Sequence, residues 1–141
     1  MLSEDQLPNH PVLTLMARFL FVSLFLISGV THFTDIPYYV SLMPAAFPMR
    51  ELCVLVSGAL ELVGAVMILF NWRPRLGAWL IVLFLLPVTI VVHGYEMTHA
   101  QDEVIRLLQQ AHFLKGFALI GAALLVTQLG VTHRESSAAT D

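Results

Sequence analysis

At 141 residues, 57% hydrophobic and 12% charged, with a mean hydropathy of +0.79, the chain has the length of one domain and the composition of no soluble one. Ten acids against seven bases leave a net charge of −3, and no basic cluster marks a nucleic-acid surface. The single cysteine, Cys53, excludes an internal disulfide or a CxxC redox pair within one chain.

Residues 1–10 are a polar segment holding Glu4 and Asp5 but no Lys or Arg, so the first apolar run lacks the basic start of a cleaved signal and is expected to be retained. The transmembrane domain is expected over 11–131, with spans at about 11–33, 51–70, 76–93 and 103–130. Pro11 suits the start of the first span, where Arg18, Phe25, Gly29 and His32 recur on one helical face. Pro37, Pro44 and Pro48 forbid a long helix in the segment that follows, which reads as an interfacial loop with one short helical turn; Tyr38 and Tyr39 read as an aromatic belt.

The second span carries one acid, Glu61, at its middle, with Ser57, Gly58, Gly64 and Ala65 nearby; small residues predict close helix packing and an inward-facing carboxylate. In the third span Pro87 predicts a kink, with Thr89 placed to take up part of the freed backbone bonding. Thr98 and Gln101 have the spacing of a capping box ahead of a fourth helix that begins amphipathic and runs on into the membrane, with Lys115 just inside it. Residues 132–141 are expected to form a flexible tail.

The fold expected is therefore an all-α bundle of four transmembrane helices with both termini on one side. Arg18, Arg73, Arg75 and Arg134 against Arg50 and Arg106 place that side in the cytoplasm.

An ionisable residue inside a span is a functional candidate and needs a partner. At ~1.5 Å per residue Glu61 lies about 14 Å from either surface and Arg18 about 10 Å from the cytoplasmic one, so Arg18 is the expected partner of Glu61 in a buried polar pair, with Lys115 the runner-up. That pair is open to two readings: an ion pair that fixes bundle register, or a site that handles protons or a ligand. His32, His93 and His112 fall at the outer mouths of three helices, where they are either interfacial residues or convergent ligands. No catalytic residue is assigned and no metal site is expected.

The chain resembles the DoxX family. The resemblance runs from Arg18 to Leu129 and rests on Arg18, Phe25, Ser28-Gly29 and His32-Phe33; on Met43-Pro44 and Phe47-Pro48; on Ser57-Gly58, Glu61-Leu62 and Gly64; and on Gln110 with His112-Phe113-Leu114-Lys115. The family often shows Asn after that Lys, where this chain has Gly116. The resemblance implies a multi-pass protein of the bacterial inner membrane, in contact with lipid, that serves as a membrane subunit or anchor of a respiratory or redox system beside a redox partner protein. Quinone is then the candidate cofactor, ahead of haem or a metal, and His32, His93, His112, Lys115 and Glu61 are the candidate ligand-binding residues. The alternative is a non-catalytic assembly scaffold, or a small carrier of a proton, metal ion or solute; the small-residue faces also allow a homo-oligomer.

Overall fold

The structure is a computed structural model that describes residues 10–128. The expected polar segment before His10 and the expected tail lie outside the described residues. Among the described residues every regular element is helical: α1 (Pro11–Thr34), α2 (Ile36–Ser41), α3 (Arg50–Leu69) and α4 (Pro74–Pro87), a π-helical turn (Val88–His93), α5 (Gly94–His99) and α6 (Glu103–Gln128). Four stretches are long and apolar enough to cross a membrane: α1, α3, the continuous run from Pro74 to His99, and α6.

Local chemistry sets the boundaries. Proline occupies the first turn of α1, α2 and α4, where a missing N–H costs nothing. The turn between α3 and α4 is tight enough that Asn71 and Arg73 both adopt left-handed backbone, at φ 56° and 48°. Pro87 is the last residue of α4. Lacking an N–H, it interrupts the α-helical ladder, and the chain answers with a π turn in which the Gly94 N–H reaches back to the Thr89 carbonyl. Thr89 Oγ1 has no hydrogen-bond partner among the described residues, so the backbone and not this side chain absorbs the break. The third span consequently runs on to His99 instead of ending at His93. The expected capping box is also absent: Asp102 Oδ1 caps α6, accepting from the N–H groups of Val104 and Ile105, while the Thr98 hydroxyl donates back to the Gly94 and Tyr95 carbonyls.

Packing runs between chain neighbours: α1 on α3, α3 on α4, and α4 with its π turn on α6. Glycines bring the backbones together. A methyl placed on Gly64 would stand 2.8 Å from the Gly77 carbonyl oxygen, and one on Gly77 would stand 2.7 Å from the Gly64 carbonyl. Each glycine therefore directs a Cα–H at the other's carbonyl, a reciprocal weak contact worth about 0.5–1 kcal/mol apiece. Gly29 lies against Leu62 and Glu61, and Gly58 against His32, which sets α1 antiparallel to α3. A single core follows, built on Val22, Phe25, Ala65, Ile68, Ala78 and Ile81. Large apolar residues such as Leu20, Ile27, Leu83 and Leu125 face outward, where in a membrane they meet lipid. Among the described residues no Cα of α1 comes within 8 Å of one in α6, so the bundle is open along that seam.

Gly77→Val should lower stability by about 1–3 kcal/mol, because the side chain has a carbonyl and not a yielding side-chain tip in its way. Gly121→Ala, which meets nothing within 4 Å, should be neutral or slightly stabilising. Thermal unfolding in mild detergent checks both.

Candidate functional site

The α1/α3 register decides which group Glu61 meets. Since Gly29 faces Glu61 and Gly58 faces His32, Glu61 lies level with the last turns of α1. Arg18 is eleven residues earlier than Gly29, about 16 Å away along the helix at ~1.5 Å per residue. Continuing the same register brings Arg18 level with Trp72, beyond the end of α3 at Leu69. The expected Arg18–Glu61 pair is therefore corrected: α1 overhangs α3 at its N-terminal end, the two spans do not start and stop together, and the partner of Glu61 is His32.

His32 and Glu61 are both buried, at 4% and 1% exposure. His32 Nδ1 stands 2.8 Å from the Ser28 carbonyl oxygen and 3.1 Å from Glu61 Oε2. A carbonyl can only accept, so Nδ1 carries a hydrogen and donates it between the two oxygens. The Ser28 hydroxyl donates to the same Glu61 oxygen at 3.2 Å. Thr31 donates to the Ser28 carbonyl at 2.8 Å; with that hydroxyl hydrogen committed, the Tyr39 hydroxyl, 2.5 Å from Thr31 Oγ1, is the donor in the remaining link. The network thus has a direction at every step, and buried polar groups satisfied in this way hold one geometry. Tyr39 turns inward, its ring stacking on His32 at 3.8 Å, while Tyr38 beside it is exposed.

A second polar group stands where the π turn meets α6. His93 Nδ1 is 2.7 Å from Gln109 Oε1, and the His93 and His112 rings meet edge to face at 5.2 Å. Lys115 follows His112 by three residues on α6, which puts it on the same side of the helix. Below them Gly116 packs against Thr89, so closely that any Cβ at 116 would collide with the Thr89 hydroxyl. Asn, common at this place in the family that the chain resembles, has no room here. The three candidate histidines are thus divided, His32 with Glu61 and His93 with His112. Among the described residues no three or more His, Cys, Asp or Glu side chains gather as a metal-holding group.

Both polar groups line one cavity of about 630 Å³, within the range of small-molecule and cofactor pockets. Its wall is mostly apolar, with Phe25, Leu60, Phe84, Val92 and Leu119 among the lining residues, and it draws on α1, α3, α4 with its π turn, and α6. It includes residues from both edges of the open seam, Leu24 and Ser28 on α1 and His112 and Leu119 on α6. Ser28, Tyr39 and Gln109 belong to the site although sequence reading did not single them out for it. Only Ser28 had a usable signal, since it lies one helical turn before His32 and shares its face.

The DoxX family model matches residues 13–94, more than half of the chain. No curated protein and no solved structure matches it.

Double-mutant cycles test the corrected pairing. Glu61→Leu and Arg18→Leu should add within about 0.5 kcal/mol, whereas Glu61→Leu and His32→Leu should couple by more than that, both read as unfolding free energies in mild detergent.

Proposed function

We propose a role whose premise is that the chain belongs to the DoxX family: a membrane subunit of a quinone-linked redox system in the bacterial plasma membrane, which holds the quinone head while a partner protein carries out the oxidation. The observation that carries this reading is the cavity. An apolar chamber of about 630 Å³ with polar groups on two walls matches a ring that is apolar on its faces and polar at its oxygens. The separation of α1 from α6 supports the reading further, because a lipid-soluble ligand can then enter from the bilayer without crossing water. His32 and Glu61 serve one end of the ring; His93, His112 and Lys115 serve the other. The site accounts for holding and orienting the ring and for exchanging hydrogen bonds with it. Electron transfer belongs to the partner.

Native mass spectrometry on protein purified in mild detergent from its own membranes tests the proposal. Bound quinone is expected, with at least tenfold less retained in Glu61→Leu. A second readout uses Cys53, the chain's one cysteine, which lines the same cavity: its rate of maleimide labelling should fall when a short-chain quinone is added. Partner chains without quinone, and labelling indifferent to quinone, would favour an assembly scaffold instead. Ion or solute flux in proteoliposomes that depends on Glu61 would favour a carrier. The arginine distribution supports a topology with both termini in the cytoplasm; a C-terminal reporter fusion active outside the cytoplasm would reverse it.

A further inference from the structure

We infer that His32 Nε2 is a hydrogen-bond acceptor for a ring hydroxyl, so that the resting cavity takes the reduced, dihydroxy form of its ligand ahead of the oxidised, dicarbonyl form. The inference rests on the reading of the cavity as a quinone site and adds which redox form the site is built to hold.

The argument starts at the other nitrogen. Nδ1 faces the Ser28 carbonyl at 2.8 Å and Glu61 Oε2 at 3.1 Å, and both oxygens call for a donor. Turning the ring over would set a C–H against them, and stacking on Tyr39 at 3.8 Å holds the ring plane. The Nδ1–H tautomer is therefore locked, and a neutral imidazole with hydrogen on Nδ1 has a lone pair on Nε2. Nε2 has no partner among the described residues. It is not sealed off either: the buried side-chain polar atom that lacks both partner and access is Thr89 Oγ1. His32 lines the cavity, so the cavity is where Nε2 finds its space. Glu61 Oε1 is in the same position, with no protein partner and no seal.

At His32 itself the cavity therefore presents an acceptor and no donor. The Tyr39 hydroxyl gives its hydrogen to Thr31, and the Ser28 hydroxyl gives its own to Glu61 Oε2. A hydroxyl on the ligand satisfies Nε2, whereas a carbonyl oxygen would oppose lone pair to lone pair and leave both desolvated. Lys115 on the other wall donates to a carbonyl or a hydroxyl alike, so the choice between redox forms falls to His32.

The test uses the full-length protein in lipid nanodiscs with three probes: a short-chain methylated 1,4-hydroquinone kept under argon, its 1,4-dimethyl ether and the matching benzoquinone. The hydroquinone should bind about tenfold tighter than either of the others. In His32→Asn the side-chain amide replaces Nδ1–H while Nε2 is deleted, and the preference should shrink to about twofold or less. Histidine ¹⁵N NMR on the native chain supplies an independent readout: the His32 signals, assigned by their loss in His32→Asn, should show hydrogen on Nδ1 and none on Nε2, with Nε2 shifting when hydroquinone is added. Equal binding of all three probes would overturn the His32 assignment and leave the quinone cavity standing, as would hydrogen on Nε2. Binding of none would overturn both. If His32→Asn fails to fold, the three-probe comparison on the native chain decides.

Discussion

The closeness of neighbouring helix backbones is the constraint from which the rest of the molecule follows. Gly64 and Gly77 leave α3 and α4 no room for a side chain between them, Gly29 and Gly58 do the same for α1 and α3, and Gly116 admits the Thr89 side chain at the next interface. In a bilayer the hydrophobic effect does not draw helices together, since lipid is as apolar as the core; close contact and polar links must do so. Glycine makes that contact possible and also narrows it to one register. A slide by one turn would set a Leu, a His or a Met where a bare Cα now sits. Because of that register, the carboxylate at mid-span meets an imidazole and a serine hydroxyl, and not a guanidinium.

The result is a polar cluster that is satisfied in one sense only. Each hydrogen from Tyr39 to Thr31, from Thr31 to the Ser28 carbonyl, and from Ser28 and His32 to Glu61 has a determined donor. Such a chain resists reversal, because turning one link leaves its neighbours with two donors or two acceptors face to face. The atoms it leaves over, His32 Nε2 and Glu61 Oε1, are the ones available to whatever enters the cavity. An Arg18–Glu61 pair would have consumed the carboxylate within the protein and left the chamber with little to offer a ligand.

Composition and hydropathy were enough for four spans, for the break at the proline-rich loop and for the inward-facing Glu61, since burial of polar groups in lipid permits few other arrangements. Pairing was less legible. The depth estimate treated α1 and α3 as helices with flush ends, and nothing in either sequence announces that α1 projects past its neighbour. Tyr39 was equally deceptive: a Tyr pair beside prolines reads as an interfacial belt, and only the turn of α2 shows that one ring goes in while the other stays out. Gln109 and His93 lie on different elements, and their meeting depends on the helical phase after Pro87, which local pattern does not encode.

That phase follows from the π turn at Val88–His93. Accommodating one more residue in a turn advances everything after it by the angle of one residue, about 100° on an α-helix. Were the segment regular, His93 would rotate a quarter-turn or more away from Gln109 and His112, and α5 would leave the face of α6 on which Gly94 now meets Phe113. The proline thus works as an indexing device. It resets the helix clock once, near the end of the third span, so that the same strand of backbone presents small core residues to α3 before the reset and a histidine to the cavity after it.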